Sequence, residues 1–105
     1  MGIPAKQISF SSQTQSGVYY ILPSDFTIIY TGTGGHFFRL PSYSSSLVIG
    51  KIYEIKNLGT GNLTVSTNSA LPPNFEYIDG VTTLEVLYPY ESLTLQSTQQ
   101  GWIIL

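Results

Sequence analysis

Residues 52–67, Ile52-Tyr53-Glu54-Ile55-Lys56-Asn57-Leu58-Gly59-Thr60-Gly61-Asn62-Leu63-Thr64-Val65-Ser66-Thr67, set two runs of apolar, β-branched and aromatic residues around a Gly-rich spacer. Leu63 and Val65 alternate with Thr64 and Ser66, which is the period of a half-buried strand. A short spacer containing Gly59 and Gly61 reads as a hairpin loop, so the two runs are expected to be antiparallel neighbours. The same pattern recurs at Asp79-Gly80, between residues 75–78 and 81–87. Both turn residues tolerate the positive φ of a type I′ turn, and a second hairpin is expected over residues 75–87.

Working outward from these two turns, strand-like runs recur about every ten residues, at 18–22, 26–31, 36–40, 52–57, 63–67, 75–78, 81–87, 93–97 and 102–105. Pro23, Pro41, Pro72, Pro73 and Pro89 fall at run edges, where a missing N–H breaks no ladder. No twelve-residue window carries a helical apolar stripe free of Gly or Pro. The expectation is an all-β chain: a single antiparallel β-sandwich, jelly-roll-like, of eight or nine short strands over residues 17–105, behind an N-terminal arm at 1–16. Alternation assigns Phe38, Leu40, Leu84, Val86, Leu93 and Leu95 to the core, with Arg39, Thr83 and Glu85 outside.

The chain has 105 residues, enough for one core and not two. Charged residues make up only 10%, against a usual share of about a quarter. With four Lys and Arg and a net charge of −2, the counterion release that drives nucleic-acid binding is missing, so no nucleic-acid partner is expected. The absence of cysteine excludes disulfides, thiolate zinc sites and thiol nucleophiles. Residues 18–22 form an apolar run far short of the ~20 that a membrane helix needs, so no membrane insertion is expected. The start of the chain carries no signal-peptide pattern, and Lys6 replaces the Ser or Thr of a myristoylation signal.

Charge density points to self-association. A folded monomer of this size exposes roughly 5,800 Å², and ten charged side chains then average one per roughly 600 Å², the size of the largest apolar patches that monomers tolerate. Two runs also break the alternation: Phe26, Ile28, Ile29 and Tyr30, and Trp102, Ile103, Ile104 and Leu105, are apolar on both faces. Such strands need cover on both sides, either in the middle of a sandwich or at a subunit interface, and these eight residues are the candidate interface.

Chemistry-bearing patterns are scarce. His36 is the single histidine, and without cysteine a metal site would rest on carboxylates scattered over separate turns and strands, so none is expected. No Gly-x-Ser-x-Gly elbow occurs and His36 would be the lone base, which argues against an enzyme. Gly32-Thr33-Gly34-Gly35 lacks the Gly-Lys-Ser/Thr ending of a phosphate loop and reads as a hairpin turn, so no cofactor is expected. Tyr19, Tyr20, Tyr43, Tyr53, Tyr77, Tyr88 and Tyr90 suit either a sugar-stacking platform or polar-tipped packing.

Five ordered blocks carry a resemblance: Leu40-Pro41-Ser42, the stretch 50–65 from Gly50-Lys51 to Thr64-Val65, Ile78-Asp79-Gly80, the stretch 90–97 beginning Tyr90-Glu91-Ser92-Leu93, and Gly101-Trp102-Ile103-Ile104. Together with Asp25 to Tyr30 and Phe37-Phe38-Arg39-Leu40-Pro41, they resemble the small trimeric head domains of viral and phage fibres, over roughly residues 17–105. The resemblance implies a compact β-sandwich that trimerises about a fibre axis on a virion or in the infected cell, without enzymatic activity. In some members it implies contact with a host-surface glycan or protein. Asp79, Gly80, Gly59 and Gly61 match as turn residues, and no binding residue is carried over. The alternative function is a monomeric carbohydrate-binding module.

Overall fold

The computed structural model describes residues 5–10, 17–42, 49–68, 76–99 and 101–105, which form ten strands and no helix. In chain order these are β1 (Ala5–Ile8), β2 (Val18–Tyr20), β3 (Thr27–Tyr30), β4 (His36–Arg39), β5 (Ile52–Asn57), β6 (Leu63–Ser66), β7 (Tyr77–Ile78), β8 (Leu84–Leu87), β9 (Ser92–Ser97) and β10 (Gly101–Ile104). Six build a first sheet in the order β1-β3-β5-β9-β10-β7, and four build a second in the order β2-β4-β6-β8.

From β1 to β6 the chain alternates between the sheets, so each β1–β2, β3–β4 and β5–β6 pair is one turn of a β-solenoid of about three turns. Successive turns stack in parallel, β1 on β3 on β5 and β2 on β4 on β6. The rest of the chain closes the coil with antiparallel strands: β8 on β6, β9 on β5 and β10 on β9, with β7 parallel to β10 at the far edge. The expected antiparallel, jelly-roll-like β-sandwich is therefore incorrect. The all-β content holds, but the sheets are mixed and the coil is parallel. The chain begins this coil inside the stretch assigned to an arm, because Ala5–Ile8 pairs with β3.

The error lies in the Gly-rich spacers. Gly59 and Gly61 do not turn a hairpin; they form a corner that carries the chain from β5 in the first sheet to β6 in the second, as Gly32 and Gly34 do between β3 and β4. Thr27 pairs with Glu54 and His36 pairs with Leu63, so both sheets keep one offset of 27 residues between the second and third turns. That offset lays Gly59-Thr60-Gly61 directly over Gly32-Thr33-Gly34. The corners touch backbone to backbone: Leu58 N–H donates to Tyr30 O (2.8 Å) and Thr60 N–H to Gly32 O (3.0 Å). Asn57, fully buried, locks the third corner by donating to Gly61 O and Leu87 O (both 2.9 Å) and accepting the Gly59 amide (2.8 Å).

Asp79 and Gly80 do form the expected tight turn, with φ of 55° and 71° and the Val81 amide donating to Ile78 O (3.2 Å). The hairpin around them shrinks to one bridge, Ile78 to Thr82, because β7 joins the first sheet and β8 the second. Phe75, at the start of the expected hairpin, lies outside the described residues.

The core fills the space between the sheets. One inner row runs Lys6, Ile28, Ile55, Leu93 across the first sheet, and another runs Tyr19, Phe38, Val65, Glu85 across the second. Ile28, Ile55, Phe38 and Val65 are fully buried, as are Tyr30, Tyr53 and Leu63. Trp102 closes the far end, its ring 5.7 Å from that of Tyr53.

Candidate functional site

The outer face of the second sheet is the least expected surface of the molecule. Its strand β8 contains Leu84-Glu85-Val86-Leu87, and either parity of that run would bury an apolar residue. The register sets Leu87 opposite Leu63 in the core, which turns Leu84 and Val86 outward and Glu85 inward, the reverse of the expected assignment. Two outer rows result: Val18, Phe37, Thr64, Val86, and next to it Tyr20, Arg39, Ser66, Leu84. Five of these eight positions are apolar or aromatic, and Arg39 is the single charge.

This face also holds polar atoms cut off from solvent without a partner among the described residues, the Arg39 Nε and the Ser66 Oγ. The guanidinium lies over the Tyr20 ring at 5.9 Å, a contact that uses its charge but not its N–H donors. The outer face of the first sheet contrasts with it, since there Gln7, Thr27, Glu54, Lys56, Ser92, Thr94 and Gln96 face outward beside Ile29, Ile52 and Ile103.

The candidate interface residues from the sequence divide into two groups. Ile28, Tyr30 and Trp102 sit in the chain's own core, with exposures of 0%, 0% and 1%. Phe26, Ile103, Ile104 and Leu105 are exposed and Ile29 is half-buried, all of them on or beside the first sheet. Sequence reasoning missed Val18, Phe37, Leu84 and Val86 as a group. They come from the first two turns of the coil and from the closing strand β8, and share a face only once the strand pairing is known. Of the tyrosines, Tyr30 and Tyr53 are in the core, Tyr20, Tyr88 and Tyr90 are exposed, and Tyr43 lies outside the described residues.

Two polar clusters serve the fold. Asp25 caps the first turn: it takes Lys6 Nζ at 2.7 Å, the Tyr19 hydroxyl at 2.5 Å and the Leu22 amide at 2.9 Å. Burial pushes the Asp25 carboxyl up, but the hydrogen bonds from Lys6, Tyr19 and Leu22 outweigh it and hold the group below its ordinary value. The Lys6 ammonium is held above its usual value by the Asp25 and Tyr19 hydrogen bonds, and burial raises the Tyr19 phenol. These shifts keep the amine charged and the phenol protonated, which suits a clamp and not a base or nucleophile.

His36 is buried at the second corner. Its Nδ1 lies 2.5 Å from the Tyr30 hydroxyl, which accepts the Gly34 amide at 2.8 Å, and its ring stacks on Phe10 at 4.2 Å. Among the described residues no three His, Asp or Glu gather where a metal ion could be held. No family model, curated protein or solved structure matches this chain.

Proposed function

We propose that this chain is a non-enzymatic structural module that assembles with itself, as a homotrimer of the kind displayed on viral fibres, through the outer face of its second sheet. The observation that carries the reading is the outward placement of Leu84 and Val86, which completes an apolar face with Val18, Phe37 and Tyr20 around a single charge. A solvated sheet face alternates with polar residues, and an apolar one needs cover. Four strands about 4.8 Å apart and three to four residues long make a patch of roughly 200 Å². A stable interface buries about 800 Å² per partner, so this patch is the dry centre of a contact whose rim comes from flanking loops. A closed three-fold arrangement buries such a face on every copy, which fits a surface with only ten charged side chains. The role is display on a particle or within the infected cell.

The test is the solution mass, by light scattering coupled to size exclusion at several concentrations. The expected result is a mass of three subunits for the native chain and of one subunit for Val86→Asp. A native monomer overturns the reading.

A further inference from the structure

Lys51 differs from the other lysines of the chain, and only Arg39 shares its reliance on an aromatic ring. Lys6 is paired with Asp25 (2.7 Å), Lys56 donates to Tyr90 O (2.6 Å), and Arg39 rests on Tyr20 in the second sheet. The Lys51 ammonium sits 3.4 Å from the centroid of the Phe26 ring and 5.2 Å from that of Tyr53, and no described residue offers it a hydrogen-bond acceptor. Aromatic faces attract its charge, but its three N–H donors remain unused. Burial pulls its pKa below the usual lysine value, with Asp25 opposing, as expected of an ammonium partly stripped of water.

The ammonium borders a recess of about 440 Å³ lined by Phe26, Thr27, Gly50, Lys51, Ile52 and Glu54, a volume within the range of small-molecule sites. Its backbone rim is held in place: Gly50 N–H donates to Ser97 O (3.0 Å), Lys51 N–H to Ser97 Oγ (3.0 Å), and Gln96 Nε2 to Gly50 O (3.1 Å). Beyond Gly50 a second recess of about 470 Å³ is lined in part by Gln96, Thr98 and Gln99, a set of hydroxyl and amide groups.

We propose that this recess binds a hydroxylated monocarboxylate the size of one uronic acid residue, with the carboxylate on Lys51, the apolar ring face against Phe26 and Ile52, and a hydroxyl donating to Glu54. One ammonium matches one negative charge. Glu54 accepts Thr94 Oγ1 through one oxygen (2.9 Å), which leaves the other free for a hydroxyl donor. The same carboxylate repels a dianion, which selects against phosphate. The recess belongs to the first sheet and the assembly face to the second, so the binding inference does not depend on trimerisation.

The experiment is a titration of the ¹⁵N-labelled full chain, followed by amide shifts, with methyl glucuronide, methyl glucoside and inorganic phosphate. Methyl glucuronide is expected to move the Gly50, Lys51 and Ile52 signals with a dissociation constant of roughly 1 mM. Methyl glucoside, lacking the carboxylate, is expected to bind at least about tenfold more weakly. Lys51→Gln is expected to bring glucuronide binding down to the glucoside level. Because that substitution also removes the contact with Phe26, Ile52→Asp at an exposed wall position is the second variant, expected to abolish glucuronide binding with the melting temperature unchanged. Equal binding of glucuronide and glucoside, phosphate binding as tight as glucuronide, or no shift at about 10 mM glucuronide overturns the proposal.

Discussion

Gly59 lies against the carbonyl oxygen of Gly32, so close that a Cβ built on Gly59 would stand 2.2 Å from it. The obstacle is backbone of the turn below, which cannot rotate aside as a side chain does. Gly59→Ala is therefore expected to cost ~3 kcal/mol, at the upper end of overpacking penalties. Gly80→Ala meets nothing within 4 Å and should cost only the ~1–2 kcal/mol of a left-handed backbone. Urea unfolding of the two variants separates them, and equal midpoints would refute the stacked corner.

Trp102 is the second stability test. It is 1% exposed and packs on Tyr53, so Trp102→Ala is expected to cost ~3–5 kcal/mol. For a domain of about 100 residues that lowers the melting temperature by more than 10 °C. A melting curve unchanged by the substitution would mean that this end of the core is not closed by the indole.

These two positions show how much of the fold the sequence exposes. Strand positions and the Asp79-Gly80 turn are readable because period-two alternation and positive φ leave local marks. Pairing direction leaves none, since a strand alternates identically in parallel and antiparallel sheets. A Gly-rich spacer of four residues serves a hairpin or a corner equally well. The distinguishing mark is non-local: Gly-Thr-Gly at 32–34 returns at 59–61, with Ile28 and Phe38 in phase with Ile55 and Val65. The apolar outer face of the second sheet is hidden for a related reason, as Leu84-Glu85-Val86-Leu87 fits both parities and Leu63 across the sheet decides between them.

That parity gives a paired prediction. Val86→Ser, on an exposed residue, is expected to change the unfolding free energy of the single chain by less than ~0.5 kcal/mol while weakening assembly. Leu87→Ala, one residue on, is expected to cost ~2–5 kcal/mol. Denaturant titration combined with light scattering reads both, and the opposite ranking would reverse the register of β8.

Acid should loosen the first turn. The Asp25 carboxyl titrates below its ordinary value in the folded chain, so its ion pair stabilises the protein above the unfolded-chain pKa of about 3.9 and is lost as pH falls through the lower folded value. Stability is expected to stay level on this account from pH 7 to about 5 and to decline below about 4. Asp25→Asn is expected to be less stable at pH 7 and to lack this component of the acid decline. A parallel decline in the variant would assign the acid sensitivity to other groups.

Two of the four edge strands carry an inward charge, Lys6 on β1 and Glu85 on β8. Inward charge on an edge strand opposes pairing with another chain. Glu85→Val is expected to raise concentration-dependent turbidity without lowering the melting temperature. A variant as soluble as the native chain would deny Glu85 this protective part.

The strand order of the first sheet has a consequence for how the protein is made. β7 precedes β9 and β10 along the chain but sits at the far edge, separated from β5 by the places that those two strands later fill. On a ribosome, which releases the chain from its beginning, the three coils can stack as they emerge, each contact spanning fewer than thirty residues. Tyr77 and Ile78 join the first sheet only once Gly101 and Trp102 have been synthesised to pair beside them. Nascent molecules stalled before that point would present an open, unsealed seam to chaperones and to one another.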